Sequence, residues 1–294
     1  MRKWLWAALG VAALVGVGVA AYMLKPVTGP ARDLTLTADA SRGTYLIRLG
    51  GCVACHTDAA NGVPELGGGA ALATQFGTFY APNITSDPNA GIGSWTLAEF
   101  SKAMSDGEGP QGHLYPTFPY ENYTLMSDQE IVDLFAALQA TEPYATPAKP
   151  HEVGFPFNIR LILAGWKNLF FSPTRYVADA SQSGEWNRGR YIVEGPGHCV
   201  MCHSPRNLLG GLEAGQELTG NPAGGVGGRA PALTVAALTA EGYDADTLAS
   251  VLADGFTPGF DVLGGAMGEF IADGSSQWTD EDRQAVATYL MSRE

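Results

Sequence analysis

The sequence predicts a mainly α-helical chain, with two tandem modules of one plan behind an N-terminal apolar helix. Three observations carry that expectation. A five-residue motif, Cys-x-x-Cys-His, occurs twice, at residues 52–56 and 199–203, and uses all four cysteines. The helix signals around the two copies recur in the same order. An uncharged apolar run from Trp4 to Leu24 precedes both.

Arg2 and Lys3 open the apolar run and Lys25-Pro26 closes it. Twenty-one residues at about 1.5 Å each make a helix of roughly 30 Å, the thickness of a bilayer's hydrocarbon. Residues 1–25 are therefore expected to form a single-pass membrane anchor. Arg2 and Lys3 would stay in the cytoplasm, leaving the rest of the chain on the outer side of the membrane. A cleaved signal peptide competes, since Gly18-Val19-Ala20 offers a small-x-small site, but the run exceeds the usual core of about 7–15 residues. Both readings export the chain. Residues 26–39, with Pro26 and Pro30, read as a short polar tether.

The first module is expected over residues 40–142 and the second over 183–294. Arg42-Gly43-Thr44-Tyr45 and Arg188-Gly189-Arg190-Tyr191 lead a helix into each five-residue motif. Leu97 to Met104 and Thr247 to Leu252 read as short helices stopped by Asp106-Gly107 and Asp254-Gly255, with Thr96 and Glu99 as a capping box. Each module closes on a stronger helix, capped by Ser127-Asp128-Gln129-Glu130 and running to Leu138, or by Thr279-Asp280-Glu281-Asp282 and running to Leu290. The connector, 143–182, contains an apolar stretch from Gly154 to Phe171. Pro156, Asn158, Arg160 and Lys167 make a second span costly. A helix packed between the modules is the expectation, with a membrane-surface helix displaying Trp166 and Phe170 as the alternative.

Each motif places two sulfurs to form thioethers with the vinyl groups of a haem, while the adjacent His meets the iron from the same turn. Cys52, Cys55, Cys199 and Cys202 thus read as the attachment points of two haem c groups, and His56 and His203 as proximal ligands. A redox dithiol needs one motif, and zinc knuckles seldom lie so far apart. Neither accounts for a His after both pairs. Abundant glycine, 38 of 294 residues, and only 16% charged residues suit loop-rich domains wrapped around a large apolar cofactor. A net charge of −13 argues against nucleic acid, which needs basic patches, and permits steering toward a basic protein partner.

The sixth iron position separates carriers from catalysts, because Met closes it and raises the potential while an open site admits small molecules. In the second module, Met201 lies inside the motif and Met291 on the last helix. Met267 remains, in the glycine-rich loop Gly264-Gly265-Ala266-Met267, 68 residues beyond Cys199. In the first, Met104 falls on a helix, and Met126 follows the aromatic loop Tyr115–Tyr120, 74 residues beyond Cys52. His113 is its rival, and a hydrophobic staple is the structural alternative for Met126. His151 and His198 read as ordinary polar residues.

Three stretches of the first module carry a family resemblance: Ala81-Pro82-Asn83-Ile84-Thr85, Gly91-Ile92-Gly93-Ser94-Trp95-Thr96 and His113-Leu114-Tyr115-Pro116-Thr117-Phe118-Pro119-Tyr120. They resemble the di- and tri-haem cytochrome c subunits of membrane-bound bacterial dehydrogenases, over about residues 40–294. The resemblance implies two class I cytochrome c-like domains whose terminal helices cross beside the haem. It also implies electron delivery from alcohol, aldehyde, sugar-acid or molybdenum-containing dehydrogenases outside the cytoplasmic membrane. Many relatives carry Met where this chain has Phe118, so only Met126 remains there, and the third attachment site of the tri-haem members is missing.

The expected function is a membrane-anchored, periplasmic di-haem cytochrome c that carries single electrons rather than catalysing a bond-making reaction. Its donor would be a dehydrogenase or quinol-oxidising complex and its acceptor an oxidase or reaction centre. The alternative is a di-haem enzyme with one open iron, of the peroxidase or thiosulfate-oxidising type; the lack of a free cysteine counts against the second. A third reading makes the chain chiefly an anchor for a dehydrogenase.

Overall fold

The computed structural model describes residues 2–69, 71–225 and 228–293. α1 (Arg2–Met23) leads through the tether to α2 (Ala40–Leu49) and to α3 (Cys52–His56), a single turn holding the first motif. The hairpin β1 (Ala71–Thr74) and β2 (Gly77–Tyr80) follows, then α4 (Leu97–Asp106), β3 (Glu108–Gly109), β4 (Gly112–His113), α5 (Tyr120–Tyr123) and α6 (Asp128–Gln139). The connector holds β5 (Glu152–Val153) and α7 (Ile162–Phe170). The second module runs through α8 (Gly184–Glu194), α9 (Cys199–His203), β6 (Asn221–Gly225), β7 (Gly228–Ala230), α10 (Val235–Ala240), α11 (Ala245–Asp254), α12 (Gly265–Asp273) and α13 (Asp280–Leu290).

Local chemistry sets most of these boundaries. Thr96 with Glu99 and Ser127 with Glu130 form reciprocal capping boxes at α4 and α6. Gly107 and Gly255, with φ of 61° and 79°, end α4 and α11 in the left-handed conformation that glycine adopts without steric cost. α11 starts earlier than expected, because Asp244 caps it from a box with Thr247.

In each module the helix before the motif crosses the last helix, α2 on α6 and α8 on α13. A glycine makes each crossing close: a Cβ at Gly43 would lie 2.0 Å from the Asp133 carbonyl oxygen, and one at Gly189 1.9 Å from that of Ala285. One apolar core runs through both modules, joining Leu49 and Ile131 to Ile192 and Val286. Reciprocal hydrogen bonds cross between them. Tyr45 Oη donates to Asp282 at 2.6 Å, and Tyr191 Oη to Glu130 at 2.5 Å.

The connector belongs to both modules. β5 extends the first hairpin into an antiparallel sheet, pairing Gly77 with Val153, which the sequence pattern does not foreshadow. α7 buries Leu163, Ala164 and Lys167. The Lys167 ammonium donates to the Asp106 carbonyl at the end of α4 (2.9 Å), where the helix dipole favours a cation, and Trp166 Nε1 reaches the Leu209 carbonyl of the second module (2.9 Å).

Among the described residues no helix is long and apolar enough to cross a membrane. The side chains of Arg2, Leu5, Ala7, Ala8, Leu9 and Ala12, within the expected span, lie outside the description. What is described of α1 is 22 residues of continuous helix with Trp4, Trp6, Leu14 and Val17 exposed.

Candidate haem sites

Both motifs fold as one helical turn entered through a left-handed residue, Gly51 (φ 61°, ψ 21°) before α3 and His198 (φ 40°, ψ 34°) before α9. His56 Nδ1 donates to the Pro82 carbonyl at 2.7 Å and His203 Nδ1 to the Pro231 carbonyl at 2.8 Å. A carbonyl only accepts, so each proton sits on Nδ1 and each Nε2 keeps its lone pair for a metal. Burial pushes both imidazoles toward the neutral form, against these hydrogen bonds. Beneath each turn a glycine N–H closes the motif: Gly68 donates to the His56 carbonyl at 3.0 Å and Gly220 to that of His203 at 2.8 Å.

The orienting prolines were missed as functional residues, although a signal exists. Ala81-Pro82-Asn83-Ile84-Thr85 in the first module recurs as Ala230-Pro231-Ala232-Leu233-Thr234 in the second, a further pair in the internal repeat.

The sulfurs suit thioethers. Burial pushes the Cys52 and Cys199 thiols up to about 12 and Cys55 to about 11, and raises Cys202 as well. A zinc site or redox dithiol needs a stabilised thiolate, whereas a haem thioether is uncharged. Among the described residues no three His, Cys, Asp or Glu side chains converge to hold a metal ion by themselves. The donor set therefore fits two porphyrin-held irons.

The two turns abut. His198 is half-buried between them, its Nε2 donating to the Gly50 carbonyl at 3.3 Å and its ring edge-on to Tyr123 and Phe270, 5.9 Å from each. Burial drives this imidazole down to about 4, keeping it neutral. Tyr123 Oη donates to the same carbonyl at 2.8 Å, and Phe270 of α12 lies against Gly51. From sequence His198 reads as an ordinary polar residue; the structure makes it the filler between the attachment turns. Beside the second turn, Arg206 donates to the Met201 carbonyl (3.4 Å) and pairs with Glu121 of the first module at 3.8 Å.

Met126 is 1% exposed, in the shared core, immediately before the cap of α6. Met267 is half-buried in the first turn of α12; the glycine loop expected to hold it ends at Gly264, where the chain enters that helix. Met104 is a core residue of α4. His113 lies on β4, lining a cavity of about 240 Å³ with Leu24, Lys25, Lys102, Glu108 and Lys167, to which neither attachment turn contributes. His151 Nδ1 accepts from the Tyr80 N–H at 3.2 Å and closes the sheet.

Two short turns with half-buried cysteines and oriented histidines, each set in a crossed-helix module, define a c-type cytochrome with two haem sites. No family model matches the chain. It is 40% identical over 295 residues to a protein of Cereibacter sphaeroides named diheme cytochrome c-type, covering 99% of this chain and 98% of that one. The chain belongs to this family of di-haem c-type cytochromes and carries two covalently bound haem c groups. It is also 35% identical over 295 residues to the cytochrome c subunit of a quinone alcohol dehydrogenase of Gluconacetobacter polyoxogenes, covering 95% of this chain and 61% of that one. With the cytochrome subunit of a fructose dehydrogenase of Gluconobacter japonicus it shares 35% over 283 residues, 95% of this chain and 57% of the other. Its role is electron transfer.

Proposed function

We propose that this chain is a membrane-anchored relay on the periplasmic side of a bacterial cytoplasmic membrane, passing single electrons from a dehydrogenase or quinol-oxidising complex to an oxidase or reaction centre. The abutting attachment turns carry this reading, since two redox groups held at adjacent turns exchange electrons without a mobile carrier. Each haem supplies a one-electron couple. The protein's part would be to hold it, by Cys52 and Cys55 with His56 and Met126 at the first site and by Cys199 and Cys202 with His203 and Met267 at the second. Ligands held by the fold would keep the site's geometry alike in the two oxidation states. Anchoring draws support from the uncharged run Trp4–Leu24 and from the exposed apolar side chains along α1. A dehydrogenase donor draws support from the names of the relatives.

A redox-titrated optical spectrum of the purified protein, with and without carbon monoxide, tests the relay. Two haems per chain, both with the far-red band of Met-ligated ferric iron and both inert to carbon monoxide, are expected. Met267→Ala should lower one potential by on the order of 0.1 V and open that iron to carbon monoxide. Met126→Ala should do the same to the other, with His113→Ala leaving both unchanged. A wild-type haem that binds carbon monoxide would overturn fixed ligation and favour catalysis.

A further inference from the structure

The outward side of α7, with the turn before it, is an apolar surface without acid. Leu163, Ala164 and Lys167 face the first module, whereas Ile162 and Leu169 point outward. Phe155 (81% exposed), Phe157, Ile159 and Leu161 (59% exposed) continue that surface. Phe76 extends it, 5.0 Å from Phe157 between ring centroids. In a chain of thirty acidic residues, none lies between Glu152 and Asp179. The nearby cations are engaged inward: Arg160 donates to the His113 carbonyl (2.8 Å) and covers the Tyr115 ring, and Lys167 is buried.

This surface is clamped to the end of α1. Asn168 Nδ2 donates to the Lys25 carbonyl at 2.8 Å and the Met23 carbonyl at 3.3 Å, and the Met23 side chain packs on Gly165 with its terminal methyl where a Cβ would stand. Lys25 and Lys102 line the cavity between α1's end and α7, Lys102 in an ion pair with Glu108 at 3.0 Å.

We propose that this face lies in the headgroup layer of the membrane, with the lipid surface as its occupant; the inference rests on the reading of α1 as the anchor. If α1 crosses the hydrocarbon, its last turn ends at the boundary. A helix hydrogen-bonded to that turn is held within about one helix diameter, roughly 10 Å, of the lipid. That is the depth at which interfacial helices bury an apolar face of this kind. Absence of acid avoids repulsion from anionic headgroups, and amines such as Lys25 sit at their level. Both haem modules would then be held in one orientation over the bilayer, since α7 contacts each.

The native cysteines are all in thioethers, so Leu161→Cys supplies a single reactive thiol in the full-length holoprotein. It is labelled with an environment-sensitive fluorophore and reconstituted into phosphatidylcholine–phosphatidylglycerol vesicles with plain or brominated acyl chains. Glu241→Cys, on the second module, is the control. The label at 161 should shift to the blue and be quenched several-fold more than that at 241. Co-flotation with vesicles but equal, weak quenching at both positions would overturn the docking and leave the anchor standing. Failure to co-float would remove both.

Discussion

The two modules share the parts that hold a haem and differ where they meet. Gly43 and Gly189 seat the crossing helices, Pro82 and Pro231 orient the histidines, and Gly68 and Gly220 close the turns. At the junction the copies diverge. The left-handed entry is Gly51 in one and His198 in the other. Arg48, on the helix before the first turn, pairs with the exposed Glu65, while Arg206 at the second pairs with Glu121, whose side chain is only 11% exposed. Asp282 takes an arginine fork that its counterpart Glu130 lacks. Repetition fixes the cofactor, and asymmetry at the junction makes the two sites unequal.

The largest effect should fall on the shared frame. Gly43→Ala and Gly189→Ala each drive a Cβ into a backbone carbonyl, which cannot swing aside as a side chain could, so each should cost about 3 kcal/mol or more. Denaturant unfolding of the holoprotein measures both; a loss at one site alone would break the equivalence of the frames.

The junction should respond less evenly. Asp282 accepts from Arg188 Nε and Nη2, both at 2.7 Å, and from Tyr45. Burial works against its charge, but these hydrogen bonds prevail and hold the carboxyl below the usual 3.8. The unfolded chain therefore takes up protons first on acidification. The contribution is fully present above about pH 4 and is lost as pH falls through the depressed folded value. Asp282→Asn should cost about 3 kcal/mol at neutral pH and flatten the acid limb of the stability curve. Glu130→Gln, which weakens one tyrosine contact and one capping box, should cost about 1 kcal/mol. Equal costs would mean that the arginine fork contributes nothing.

What was legible in the sequence is what is local. The motifs, the capping boxes of α4 and α6 and the glycine stops depend on residues within one turn of each other, so spacing alone reveals them. The pairing of β5 with β2 was not legible, because Val153 meets Gly77 only after the connector has folded back. His198 looked ordinary for the same reason: Tyr123 and Phe270, which enclose it, are far away in sequence. Met267 reads as a loop residue because Gly264-Gly265 reads as a break, yet the chain passes through left-handed Gly265 (φ 58°) straight into α12. The tyrosine–carboxylate exchange across the modules was within reach, since Tyr45, Tyr191, Glu130 and Asp282 occupy matching positions in the repeat.

The finest difference concerns redox potential. Burial pushes the Glu121 carboxyl up to about 7, with Arg206 opposing, so this group changes charge near neutral pH beside the second attachment turn. A ferric site carries one more positive charge than a ferrous one, and a nearby carboxylate favours it. The second haem's potential should therefore fall as pH rises through about 7, by tens of millivolts and with a slope below the roughly 59 mV per pH unit of full one-proton, one-electron coupling. The first site's ion pair, Arg48 with Glu65, lies out in solvent with the Glu65 side chain 58% exposed, so screening should weaken its influence on the first potential. Glu121→Gln should pin the second potential at its acid-side value across pH 5.5–8.5 in a spectroelectrochemical titration. A step that survives in that variant would assign the proton to another group and leave the two ion pairs equivalent in effect.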